Sequence, residues 1–440
     1  MFHYLGLALF VPALLYAGGN NGTDCWNPGD PLIGPDLIIG QLVDVSNYVS
    51  SDGIDAFAIS PETCNIGSNG VMWTAGTNQH PVYGQGMFRL KNGRMEQIGQ
   101  SWLFHEFTAL PENKCGCGCS GGGGNSLPAG CSDVHCCGIT GSQAPLGPKF
   151  DVNAFTGVFP YPPLDPPYSG SIARRIQVHI SDVDPAQNGG GLYFVEGQYI
   201  APDDSAAGNQ NNNASYRRIT ITGSGTNWIG SMTGLSPTIR TKPAIRAWKD
   251  NDPEVTETDV QIPGEGLLIL AAKATQLSEQ LWQYEYAVQN LNSHRSVGSF
   301  RVPLPECATA ENIGFHDVDY HSGEPFDGTD WPASVENGSI TWSTTLYVEN
   351  PDANALRWGT LYNFRFDSNM PPGSGNVTLD LFRPGNPAAV TCSTVVPVQI
   401  PFGDIAPGGG NGIVDLDDLQ CILAAFGNLF DCPPADLFPC

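Results

Sequence analysis

Oxygen-bearing side chains gather near the end of this 440-residue chain in an order that suits a hard cation. The stretch from Gly403 to Leu419 places Asp404 first, then Gly408-Gly409-Gly410, Asn411, Gly412, Ile413-Val414 and the carboxylates Asp415, Asp417 and Asp418. Ca²⁺ takes about six to eight oxygens and tolerates irregular geometry. In such a loop Asp404 is the first ligand and Asn411 a later one. Gly412 makes the sharp turn, and Ile413 offers its backbone carbonyl. Asp415 stands where a water often bridges, and Asp418 closes the loop from the first turn of a helix. Asp404 lies farther upstream than a plain loop requires, so the triple glycine has to absorb a short insertion. The alternative is a Gly-rich acidic tail with a capped helix and no metal.

A second constellation lies between Gly314 and Trp331, where His316, Asp317, Asp319 and His321 stand close in sequence with Glu324, Asp327 and Asp330. Imidazole with carboxylate suits zinc or iron. The plainer reading is an acidic loop whose histidines bond to backbone, because the spacing matches no established metal motif. A strand there would place His316 and Val318 on one face and Asp317 and Asp319 on the other, whereas a tight turn could gather them. His80, His105 and His179 are scattered, and His105-Glu106 is not the start of a His-Glu-x-x-His helix. The sequence has no Gly-x-Ser-x-Gly elbow, phosphate-binding loop or dinucleotide fingerprint. Acidic residues far apart in sequence can still meet across a cleft, so paired carboxylates for glycoside hydrolysis stay open.

The elements that must hold these groups are mostly strands. Ile176, Val178 and Ile180 alternate with polar neighbours. So do Ile340, Trp342, Thr344, Leu346 and Val348; Tyr362, Phe364 and Phe366; and Val377, Leu379 and Leu381. Period two means one buried face and one wet face. High glycine (53) and proline (36) with few charges favour many short strands and turns. The expected fold is mainly β: an antiparallel, immunoglobulin-like β-sandwich with a disulfide-rich loop and a short C-terminal calcium-loop and helix module. After the calcium loop, Leu416, Leu419, Leu423 and Phe426 share one helical face, and Gly427 stands at the C-cap position.

That loop and helix resemble a single type I dockerin repeat, an EF-hand-like element, in the Gly-rich form of secreted planctomycete proteins. Two departures stand out. Dockerins carry two repeats, and here only Pro434 to Cys440 looks like the opening of a second. The closing ligand is Asp, as in dockerins, where an EF-hand has Glu. The resemblance implies calcium as cofactor and a cohesin-like or cell-surface partner. The body, from about Pro35 to about Pro397, resembles a family of uncharacterised planctomycete exported proteins. The resemblance rests on Asn78 to Gln85, Leu192 to Tyr199, Asn211 to Arg217 and Ile313 to Trp331, and it brings no activity with it.

Bulk properties point outside the cell. Net charge is −25, a surface that repels nucleic acid and anionic lipid. Leu5 to Leu15 is an apolar run too short to span a bilayer, and Ala17 suits the last residue before cleavage. The basic lead-in is missing, with His3 the only candidate. No later stretch suits a stable membrane span. The chain has 13 cysteines, and Cys115, Cys117, Cys119, Cys131, Cys136 and Cys137 crowd together. An exported chain oxidises them, with at least two bridges expected within this set and one thiol left over. The boundaries read as a signal segment 1–17, an N-terminal β-rich domain 18–160 holding the Cys-rich loop 115–137, a β-sandwich region 170–400, and the calcium module 403–440. The expected role is extracellular or periplasmic binding and assembly. A secreted hydrolase acting on polysaccharide is the second reading, and a metal enzyme using His316 and His321 the third.

Overall fold

The computed structural model describes residues 25–26, 33–399 and 414–420. Asp404, Asn411 and Ile413 lie outside them, as does the signal segment.

Two β bodies follow one another along the chain. The first is built on an eleven-stranded antiparallel sheet. Its main path runs Leu37–Ser51, Ile54–Asn65, Ile176–His179, Arg94–Gln100, Val82–Lys91, Leu192–Ile200, Ala214–Ser224 and Asn227–Ser231. Three short strands, Leu103–His105, Ser132–Val134 and Leu146–Gly147, pair at its margin. The sheet curls back on itself, because Leu42 N–H donates to Thr238 and Leu42 O accepts from the Arg217 guanidinium. Inside the curl lie Ile39, Phe57, Tyr83, Trp102, Tyr199 and their neighbours. Asn92-Gly93 closes the hairpin between Val82–Lys91 and Arg94–Gln100 with both residues at positive φ, the pairing a tight hairpin turn requires.

The second body is a sandwich of two five-stranded antiparallel sheets. One runs Thr256–Gln261, Leu267–Ser278, Leu281–Asn290, Thr360–Ser368, Glu311–His316. The other runs Ala333–Glu336, Ser339–Ser343, Val297–Pro303, Pro372–Leu381, Ala389–Pro397. Period two is visible directly. Tyr284, Tyr286, Phe300, Trp342, Phe364, Phe366, Val377 and Leu379 point into one core, and the residues between Phe300, Trp342 and Leu379 and their inward neighbours face outward. The mainly antiparallel β expectation therefore holds.

Several expectations change. The run Leu346 and Val348 is not strand: the chain leaves the sheet after Ser343, and both side chains are exposed. Ile180 opens a short helical turn, Ile180–Val183, rather than extending its strand. The Pro-rich segment 159–169, which falls between the expected domains 18–160 and 170–400, does not separate the bodies, since Ile176–His179 pairs with Ile54–Asn65 and Arg94–Gln100. Prolines interrupt a strand locally but say nothing about which distant strand the chain rejoins. The bodies also share a buried face. Leu268, Leu270 and Ala272 face the sandwich core, while Leu267, Ile269 and Ala271 pack with Phe88, Phe194 and Trp248 of the other side. Arg94 grips Glu285 with two hydrogen bonds, at 2.6 and 3.0 Å, and Leu361 N–H donates to Gln97 across the same junction.

Three disulfides join pairs of described residues: Cys25–Cys117, Cys64–Cys115 and Cys119–Cys131. Only the last lies within the crowded six, so the expected two internal bridges become one. Cys64 sits on Ile54–Asn65, which pairs with Ser132–Val134, and that pairing folds the Cys-rich loop back against Cys64. Among the described residues Cys136, Cys137 and Cys392 are free thiols, and Cys307 is disulfide-bonded. No helix of the described residues is long and apolar enough to cross a membrane.

Candidate functional site

Of the calcium-loop residues, Asp415 and Asp418 are described. Asp415 Oδ1 accepts the N–H of Asp417 at 2.9 Å, and Asp418 Oδ2 accepts the N–H of Asp415 at 2.7 Å. This reciprocal pair is a capping box, and residues 416–420 are helical behind it. The carboxylates therefore stand at the first turn of a helix.

The His316–Trp331 stretch is brought together differently. His316 ends the strand Glu311–His316 opposite Asn363, and its Nε2 is buried without a partner. Asp317 accepts a hydrogen bond from Asn354, and burial pushes its carboxyl up to about 6. Asp319 is exposed and pairs with His179 at 2.7 Å. His321 Nε2 donates to the backbone oxygen of Gln100 at 2.8 Å, while its Nδ1 lies 2.5 Å from the Ser322 hydroxyl. A carbonyl can only accept, so His321 carries its proton on Nε2, and its Nδ1 accepts a hydrogen bond from the Ser322 hydroxyl. Burial pulls its pKa down to about 4, which keeps it neutral. Both ring nitrogens are thus occupied. Among the described residues these four side chains share no metal-ligand cluster. The strand ends at His316, so Asp317, Val318 and Asp319 are not part of it, and the loop that follows straps the two bodies together. Phe315 stacks on Trp331 at 5.7 Å, and Trp331 Nε1 donates to Asn354 O.

Other titratable groups are sealed. His80 and His105 touch each other at 3.1 Å beside Phe159, and burial lowers them to about 4 and 3. At the junction of the bodies, Lys149 Nζ donates to Gln100 and to Gly359 O beside Glu324. Burial draws the Lys149 ammonium down and the Glu324 carboxyl up, both towards neutrality. The cavity there holds about 20 Å³, room for roughly one water and no substrate.

A groove of about 610 Å³ lies on the outer face of the sandwich. It crosses Val297–Pro303, Ser339–Ser343 and Pro372–Leu381, the same strands whose inward residues fill the core. Arg301, Thr341, Ser343, Asn376 and Thr378 project from it. Glu336 is the one carboxylate in its lining, and Asn337-Gly338, both at positive φ, turn the hairpin at its rim.

One group was missed by sequence reasoning. Glu106, Asp133 and His135 meet inside the first body, with ligand atoms within 4.8 Å of one another. His135 Nε2 lies 3.2 Å from Glu106 Oε2, and its Nδ1 lies 3.5 Å from Asp133 Oδ2. All three are buried. Burial raises Glu106 far above the carboxylate range and Asp133 to about 6, and lowers His135 to about 4. The available signal was Asp133-Val134-His135, an acid and an imidazole two apart on an extended segment, hence on one side. Glu106 gave none, being 27 residues upstream of Asp133 by their numbers. The other three-residue grouping, Glu62 with Cys64 and Cys115, has its sulfurs spent in a disulfide.

No family model matches this chain, and no curated protein matches it. Among solved structures, one described as "Biofilm associated protein - B domain" aligns over 84% of this chain and 87% of its own, at 8% identity and a TM-score of 0.15. A likeness that distant carries no argument about fold or function.

Proposed function

We propose that this chain is an exported binding and assembly protein. It engages a polysaccharide through the outer groove of its sandwich, and docks through its C-terminal calcium loop onto a cohesin-like or cell-surface partner. One observation carries the reading: the groove is rich in hydroxyl and amide side chains and has a single carboxylate in its lining. Hydroxyls, amides and a guanidinium match the hydrogen-bonding edges of sugars. Hydrolysis needs two carboxyl groups about 5–9 Å apart astride one bond; Glu336 is the one carboxylate lining the groove, and the nearby Asp380 is ion-paired to Arg301. The three disulfides fit an oxidising compartment.

The test is binding of the purified mature chain to a panel of insoluble and soluble polysaccharides, with reducing-sugar release measured in parallel. Asn376→Ala combined with Thr341→Ala alters only outward-facing positions. It is expected to weaken retention on the preferred polymer at least tenfold without loss of folding. Turnover by the wild type, or retention indifferent to these changes, would overturn the groove reading.

The tail is tested separately by calorimetric titration of Ca²⁺ into the full chain. Asp418→Asn keeps an oxygen for the helix cap but removes the charge. It is expected to abolish one equivalent of calcium binding, because the remaining carboxylates lose a ligand at a site whose affinity follows charge count. Identical isotherms for the variant and the wild type would remove calcium from the proposal.

A further inference from the structure

The cluster of Glu106, Asp133 and His135 is built as metal sites are built. Each carboxylate has one oxygen tied to a protein donor and the other left over. Glu106 Oε1 accepts the Tyr199 hydroxyl at 2.8 Å, and Asp133 Oδ1 accepts the Leu110 N–H at 3.0 Å. Glu106 Oε2, Asp133 Oδ2 and His135 Nδ1 are buried and have no hydrogen-bond partner. The residues are 3%, 2% and 3% exposed, so water does not satisfy these atoms from outside. The frame around them is rigid. Ser60 Oγ donates to His135 O, and Phe104 and Phe107 pack their rings on the imidazole. The Cys119–Cys131 bridge pins the chain one residue before Ser132–Val134.

We propose that Glu106, Asp133 and His135 bind one divalent first-row cation of the zinc class, as a structural site that locks the Cys-rich loop onto the first body. One imidazole with two carboxylates is a donor set that zinc accepts, and an all-oxygen ion such as calcium has no use for the imidazole. The distances are close to what is needed. A tetrahedral ion held at about 2.0–2.2 Å has ligands roughly 3.4 Å apart. The 3.5 Å separation of His135 Nδ1 from Asp133 Oδ2 is already close to one such edge, and Glu106 has to close by a side-chain shift. Charge balance favours the same answer. In the filled site the two ionised carboxylates carry −2, and a divalent cation neutralises both. Tyr199 and the Leu110 N–H then serve as the outer donors that orient ligating carboxylates. The thiols of Cys136 and Cys137 play no part.

The full mature chain, purified without a histidine tag, is analysed for metal by mass spectrometry and then titrated with Zn²⁺ and Co²⁺ after chelation. About one equivalent is expected. Glu106→Gln with Asp133→Asn preserves shape and removes charge, so it is expected to fold and to lose that equivalent. Tyr199→Phe is expected to weaken affinity about 10–100-fold, the usual cost of an outer partner. Cys136→Ser with Cys137→Ser is expected to keep the metal. The bound Co²⁺ spectrum is expected to show nitrogen and oxygen ligation with no thiolate charge-transfer band. A folded wild type that binds neither ion would overturn the proposal. So would metal retained by the double amide variant, or metal lost with the two thiols. Removal of the calcium tail leaves this site whole, so its outcome is independent of the docking reading.

Discussion

Asp204→Asn is expected to stabilise this chain by about 2–5 kcal/mol at pH 8 and to leave stability nearly unchanged at pH 4. Asp204 lies in the short helix Pro202–Ala207 and is fully buried. Its Oδ1 accepts the Leu37 N–H at 2.8 Å and its Oδ2 meets Asn213 Nδ2 at 2.8 Å. The charged groups acting on it are Asp36 and Asp203, both of like sign, and burial pushes its carboxyl from 3.8 up to about 8. The sign follows from proton counting. Between these values the unfolded chain has released the proton and the folded chain keeps it, so stability falls as pH rises through the window. Below 3.8 both states are protonated and the contribution is whole. The full shift converts to roughly 5–6 kcal/mol. The positive helix end opposes part of it, because the residue is in the first turn. An amide carries no charge at any of these pH values. Its oxygen keeps the Leu37 bond, and its NH₂ can donate to Asn213 Oδ1, which is buried and unpartnered. Urea unfolding at pH 4, 6 and 8 measures the difference. An offset that is the same at all three values would show that Asp204 is ionised throughout.

Trp331→Ala is expected to lower stability by about 3–5 kcal/mol, the range for removing a buried aromatic ring. Trp331 is 2% exposed and packs against Phe315, Tyr362 and Phe364 in the sandwich core. Removing the ring leaves a cavity and takes the donor away from Asn354 O. His321→Ala is expected to cost less, about 1–3 kcal/mol, by leaving the Gln100 carbonyl without its partner. Asp319→Asn is expected to change little, since its pair with His179 is exposed. This ranking separates a structural strap from a metal site. In a metal site His316, Asp319 and His321 act together, and in a strap Trp331 dominates. Chemical denaturation of the three single variants decides, and large, similar losses at His321 and Asp319 with a mild loss at Trp331 would reverse the assignment.

The two patterns behave differently because they depend on different ranges of the chain. Alternation at Tyr362, Phe364 and Phe366, or at Val377 and Leu379, is local, since each side chain of a strand points opposite to its neighbour whatever the strand pairs with. A β class and an inward set of residues could be read from it directly. The same logic overran at Leu346 and Val348, where spacing continued after the strand had ended at Ser343. Local chemistry also placed Asp415 and Asp418 at a helix start, because a capping box spans only a few residues.

Everything that required two distant segments to meet was out of reach. Cys64 and Cys115 are bridged because Ile54–Asn65 pairs with Ser132–Val134, a register that neither segment states alone. Ile176–His179 crosses the Pro-rich break because two earlier strands leave it a place between them. His316 and His321 stand five residues apart and go to different partners, while Glu106 and His135, far apart in the chain, come within 3.2 Å. Proximity in the sequence constrains direction, through the two-residue period of a strand. Convergence is decided by which strands pair and in what register, and a shift of one residue would turn Asp133 and His135 away from Glu106 altogether.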